Sequence, residues 1–178
     1  SRRAPDYVGR SKAVAAIEAD RRAGKQPELL TNLLGKVGDV HSLLSDTAYG
    51  SCVFANKPGD GSAREQAASS QRVIGGAANI CYEYATKRYR SNCINWGILP
   101  FTLPKDAPFD YVVGDHVFVP NVRDAVENKV ESLPATVIRK DGSLTDITLN
   151  LPPLTDDERE IILDGCLMNY YAARSAKA

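Results

Sequence analysis

No stretch of this sequence approaches the ~20 consecutive apolar residues that a membrane-spanning helix needs. None of its 4 cysteines forms a C-x-x-C pair, because Cys52, Cys81, Cys93 and Cys166 are scattered. Metal and cluster sites draw on at least one close pair of ligands, so no autonomous zinc or iron–sulfur centre is expected. A secreted disulfide scaffold would be shorter and denser in cysteine, so reduced thiols and a cytoplasmic setting are expected. Neither sign of charge is in excess: Lys plus Arg and Asp plus Glu are 22 each. With no basic excess and no interleaving of basic and aromatic residues, a nucleic-acid partner is not favoured. Methionine is nearly absent. The only one is Met168 and the chain opens on Ser1, which suggests a piece of a longer polypeptide. Internal repeats and low-complexity segments are also missing.

What is present suits one domain, or one with an extension, since a 178-residue chain can bury about 70% of its unfolded surface. Residues 1–48 read as a helical extension or linker. Residues 8–23 carry Val14, Ala15, Ile17 and Ala19 among charged residues and stop at Gly24, and Leu29, Leu30, Leu33 and Leu34 mark a second helix ended by Gly35. Residues 49–178 change texture. Cys52–Ala55 and Ala77–Cys81 read as buried strands, with helices predicted over 62–74 and 83–90. Val117-Phe118-Val119 is a further strand, and the runs either side of Asp141-Gly142 predict a hairpin. Thr155-x-x-Glu158 is a capping box for a final helix bearing Ile162, Leu163, Cys166, Leu167 and Tyr170. The total is an α/β fold with a mixed sheet.

Chemistry concentrates in Gly59-Asp60-Gly61-Ser62-Ala63-Arg64-Glu65-Gln66-Ala67-Ala68. Glycines let a ligand approach the backbone, and a helix start offers free N–H groups and partial positive charge. Arg64 adds a fork that fits a carboxylate. An anion site follows from these parts. A bland reading stands beside it: Ser62-x-x-Glu65 is itself a capping box, and an arginine in a first helical turn is commonly just solvated.

The segment is similar to the aconitase-family signature, in which a glycine-flanked serine precedes Ser-Arg-Glu-His-Ala. A second block, Arg90-Ser91-Asn92-Cys93-Ile94-Asn95-Trp96-Gly97-Ile98-Leu99-Pro100, resembles the family's Arg-Ser-Asn-Leu-Ile-Asn-x-Gly-Ile-Leu-Pro. The ending, from Leu151-Pro152-Pro153-Leu154-Thr155 to Gly165–Tyr171, resembles a branch described simply as hydratases. The resemblance implies that residues 49–178 form the C-terminal swivelling β/β/α three-layer domain of a hydro-lyase. It implies Ser62 as the catalytic base and, with Arg64, as the substrate-binding pair. Gly61, Ala63, Asn92, Asn95 and Gly97 would form supporting loops. It also implies a [4Fe–4S] cluster in the parent enzyme, ligated by domains absent here, with this fragment inactive alone. The substrate would be a small hydroxy di- or tricarboxylic acid. Ala63 departs from the family's second serine, which bears on substrate identity, and Gln66 stands where His is commoner.

Two alternatives accompany this expectation. One is a separate small subunit that pairs with a large cluster-bearing subunit, as in isopropylmalate isomerases. The other is a non-catalytic anion- or RNA-binding module.

Overall fold

Three helices precede the first strand: α1 (Tyr7–Arg22), α2 (Glu28–Leu34) and α3 (Val40–Asp46). This computed structural model describes residues 4–176. Gly24, at φ +80°, follows α1, and the Asp39 carboxylate caps α3 by accepting from the Ser42 N–H. Helix α1 is fastened to the start of the sheet by one buried hydroxyl. Ser11 is 2% exposed, and its Oγ donates to the Ile74 carbonyl (2.9 Å). It therefore accepts from Ser51 Oγ at 2.6 Å.

The rest is an α/β array. Its elements are β1 (Ser51–Ala55), α4 (Arg64–Val73), β2 (Gly76–Cys81), α5 (Lys87–Asn95), β3 (Leu99–Thr102), β4 (His116–Phe118), α6 (Val122–Glu127), β5 (Ser132–Ile138), β6 (Leu144–Asn150), α7 (Asp156–Leu163) and α8 (Leu167–Ser175). The six strands form one mixed sheet in the order β1-β2-β3-β6-β5-β4, consistent with a three-layer α/β domain. β1, β2 and β3 are parallel, with Phe54 beside Ile80 and Ile80 beside Phe101. β6, β5 and β4 are antiparallel, and a single pair, Thr102 with Asn150, joins the two halves. The Asp141-Gly142 turn closes the β5–β6 hairpin as its dipeptide predicts. Gly142 sits at φ +85°, and Asp141 Oδ1 accepts from the backbone and hydroxyl of Ser143.

The two edges of the sheet meet. The rings of Tyr49, just before β1, and His116, at the head of β4, stack at 5.9 Å, with Tyr49 Oη 3.0 Å from His116 Nε2. Because β1 and β4 are opposite edge strands, the sheet is coiled strongly enough to bring its margins together. The main core lies between the sheet and α5–α8, built from Ile80, Ile94, Phe101, Val126, Leu133, Leu149, Leu154, Ile161 and Tyr170. A smaller cluster of Ala68, Tyr89, Cys93 and Ile98 seats α4 and α5 on each other.

Several expectations are corrected. The helix predicted over 83–90 starts later and runs through Asn95, because Thr86 caps it by accepting from the Tyr89 N–H. The final helix is two, broken at Gly165 (φ +93°), although the Thr155–Glu158 capping box forms in full. Cys52, read as buried, is exposed on edge strand β1. Arg90, the first residue of the second resembling block, is a part-buried tie from α5 to the α7 cap, donating to Pro153 O (3.1 Å) and pairing with Glu158 (3.3 Å).

Gly97 has φ +67°, and a Cβ there would stand 1.9 Å from the Gly165 carbonyl oxygen. Gly97→Ala is therefore expected to lower stability by more than about 1 kcal/mol. Gly61→Ala, where no atom lies within 4 Å, should leave the urea midpoint unchanged; equal effects at both sites would refute the steric argument.

Burial beside Tyr49 holds the His116 pKa below its usual 6.5, with Asp115 pulling weakly the other way. The unfolded chain therefore takes up this proton first. The contribution of His116 to stability is complete above about pH 7 and is lost as the pH falls through 6.5 toward the lower folded value. His116→Phe should flatten the fall in melting temperature between about pH 7 and 5; an unchanged slope would place the effect elsewhere.

Candidate active site at the carboxyl end of the parallel strands

Parallel pairing sends the loops after β1 and β2 to one end of the sheet, where open α/β sheets bind ligands. The two loops are bonded to each other. Asn56 O accepts from the backbone N–H groups of Tyr82 (3.2 Å) and Glu83 (3.3 Å), and Pro58 O accepts from that of Ala85 (2.8 Å). An ion pair between Lys57 and Glu83 closes the outer edge.

The junction is Gly59. Its backbone carbonyl accepts from Arg64 Nε at 2.9 Å and from Thr86 Oγ1 at 3.1 Å. One threonine hydroxyl thus caps α5 and ties that cap to the glycine loop, while the same carbonyl fixes the direction of the Arg64 guanidinium. Gly59 is required for its own reason: at φ +101°, a Cβ would press on the Tyr89 side chain at 2.5 Å. Among the described residues no ion pair involves Arg64, so its outer nitrogens keep their donors for a ligand.

Ser62 does not cap α4. The first residue of the helix is Arg64, and Ala63 occupies the cap position with no side-chain bond. Glu65, which a capping box would turn back toward Ser62, instead accepts from Asn92 Nδ2 and Trp96 Nε1 on α5. The capping role read for Ser62 is thereby removed. Its side chain is exposed, with no hydrogen-bond partner among the described residues, two residues ahead of an uncapped helix start. Gly61 is exposed too, with open space where a Cβ would go, so nothing within the described residues requires a glycine there.

Beneath the loop, a buried polar chain sets α4 against β2 and α5. Gln71 Nε2 donates to Asn79 Oδ1 (2.7 Å), and Asn79 Nδ2 donates to Tyr89 Oη and Cys93 Sγ, both at 3.4 Å.

The sequence-predicted residues are thus placed as follows. Gly61, Ser62 and Ala63 are exposed on one rim, followed by the half-buried Arg64. Asn92 and Asn95 are on helix α5 rather than on a loop; Asn92 reaches the rim through Glu65, whereas Gly97 faces Gly165. Ser62 stands in an open setting, and neither it nor Arg64 lines the concavity at the opposite end of the parallel strands or the one beside β5 and β6. Sequence reasoning missed Thr86 and the Glu65 clamp. Thr86 carried a readable signal, a hydroxyl residue just ahead of a helix; the clamp carried none.

These residues do not fit a cluster. Among those described, no group of three His, Cys, Asp or Glu side chains is placed to hold a metal. Cys81 and Cys93 are buried, and burial pushes both thiols up to about 11. They stay protonated at neutral pH and serve packing.

Comparison with known proteins places residues 45–106 in a match to the aconitase C-terminal domain. The chain is 26% identical over 177 residues to the probable mitochondrial aconitate hydratase of Dictyostelium discoideum, covering 97% of this chain and 22% of that protein. It is 31% identical over 112 residues to the mitochondrial aconitate hydratase of Gracilaria gracilis, covering 62% and 14%. It is 28% identical over 152 residues to a probable mitochondrial aconitate hydratase of Caenorhabditis elegans, covering 82% and 19%. The chain therefore spans about a fifth of the length of the curated relatives it matches.

Glu65→Ala and Trp96→Phe should each loosen α4 against α5, lowering the unfolding midpoint. Since Trp96 is the only tryptophan of the chain, the state of its indole N–H can be followed by NMR in isotopically labelled protein. Glu65→Ala should move that resonance toward a solvent-bonded shift; an unmoved resonance would show that the clamp does not form in solution.

Proposed function

From a chain that carries an aconitase-family C-terminal domain, we propose that Ser62 and Arg64 are working residues of a hydro-lyase that dehydrates and rehydrates a small hydroxy di- or tricarboxylic acid. Ser62 Oγ, as its alkoxide, takes a proton from the carbon beside a substrate carboxylate. The electron pair left on carbon forms the double bond as the neighbouring hydroxyl departs. Arg64 binds that carboxylate through the nitrogens its Gly59 anchor leaves free.

A serine hydroxyl is a weak acid, so its anion needs strong stabilisation. The uncapped N–H groups of α4 and the Arg64 guanidinium, both within a few residues of Ser62, are the donors and positive charge available for this. Desolvation alone would favour the neutral hydroxyl. The observation that carries the reading is a serine relieved of its capping role beside an arginine aimed by a backbone carbonyl.

The open rim accounts for the expected inactivity of the isolated chain. A closed, dry site needs an opposing wall, and that wall belongs to the cluster-bearing domains. A [4Fe–4S] cluster in the parent enzyme would be held by the other domains of the longer protein, a reading supported by the lack of a ligand group among the described residues. Relatives several times longer than the chain favour a single polypeptide over a separate small subunit. Reduced cysteines suggested the cytoplasm, although three of the relatives above are mitochondrial by name.

In the full-length protein, Ser62→Ala should lower kcat by about 10²–10⁴-fold while the cluster's absorption spectrum stays unchanged. Arg64→Lys, which keeps the charge but loses the fork, should chiefly raise KM. Near-normal turnover in Ser62→Ala would remove this serine from the mechanism.

A further inference from the structure

A concavity lies at the other end of the parallel strands, where β1, β2 and β3 begin. It encloses about 480 Å³, within the ~300–1,000 Å³ of ordinary small-molecule sites. Its walls come from α1, α6 and the end of α7, with Ala15, Leu99, Val126 and Ile162 among an apolar majority.

The charges in this cleft are unequal. Its one carboxylate, Glu18, is already saturated: it accepts from Arg21 Nε (2.8 Å) and Nη2 (2.9 Å), Arg22 Nε (2.8 Å) and the Tyr49 N–H (3.0 Å). Arg21 is spent on it through two nitrogens, and the charge of Arg22 is paired with it through Nε. The cleft's other two guanidinium groups, Arg72 and Arg123, have no carboxylate partner among the described residues. Each is moored by one Nη1 donor to a backbone carbonyl, Arg72 to Gly76 (3.2 Å) and Arg123 to Leu163 (3.1 Å). Mooring reduces the freedom each side chain loses on binding, and leaves its other N–H groups available.

We propose that this cleft binds a small aliphatic carboxylate, its hydrocarbon body against the apolar wall and its carboxylate on Arg72 and Arg123. The apolar wall selects an organic anion over a bare one, because inorganic phosphate would leave that surface wet. The guanidinium fork selects a planar carboxylate over a neutral amide. This site does not depend on the role assigned to Ser62, from which it is separated by the length of the parallel strands.

The test is a titration of the full-length protein with glutarate, read by methyl NMR at Leu99, Val126 and Ile162. Saturable shifts are expected. They should weaken by at least about tenfold in the Arg72→Gln/Arg123→Gln double variant, and Arg64→Gln should leave them unchanged. Arg123→Gln alone, on the exposed side of α6, covers the case in which the double variant fails to fold; it should weaken the same shifts. Absence of saturable shifts, equal affinity in the variants, or equal binding of phosphate or glutaramide would each overturn the proposal.

Discussion

Parallel pairing of three short strands is the constraint from which the organisation of this chain follows. Parallel neighbours cannot be joined by a tight turn, so each needs a crossover. α4 and α5 are those crossovers. Both must leave from the same end of the sheet and return to the other. The loops after β1 and β2 consequently become neighbours, and the carbonyl of Gly59 can collect donors from both. The returning segments gather at the opposite end, where Gly75 and Gly97 let backbone and helices approach.

Within that frame, polar side chains work mainly as fasteners between elements. Ser11 fixes α1, Glu65 fixes α4 to α5, and Arg90 fixes α5 to α7. Buried polar atoms are costly unless paired, so the Gln71–Asn79–Tyr89 chain also specifies one arrangement of α4 over β2. Against this pattern Ser62 is an exception: a polar side chain with no fastening duty. Arg64 is half an exception, tethered at one nitrogen and open at the others.

Local signals in the sequence were reliable where the local chain decides the outcome. The Asp141-Gly142 turn, the Thr155 capping box and the leucines of the second helix each name their structure within a few residues. Legibility failed where a distant partner intervened. Ser62 and Glu65 have the spacing of a capping box, but Asn92 and Trp96, far along the chain, outcompete the serine for the carboxylate. The segment before Thr86 has helical composition, yet its backbone is held by Asn56 and Pro58 in the facing loop. Residues Gly61 to Arg64 could be picked out as a unit from sequence. Their open surroundings could not, because the exposure of a loop is set by what packs around it and leaves no trace in this stretch of residues.

The join between the two half-sheets has a consequence of its own. Only Thr102 and Asn150 bridge β3 and β6, while the hydrophobic residues on either side of that line pack into one core. Side-chain burial is non-directional, whereas a ladder of hydrogen bonds fixes register. The seam is therefore strong against separation and weak against sliding. Small angular adjustments between the halves therefore cost little backbone bonding along this line, and the Tyr49–His116 contact at the far margins is what limits them.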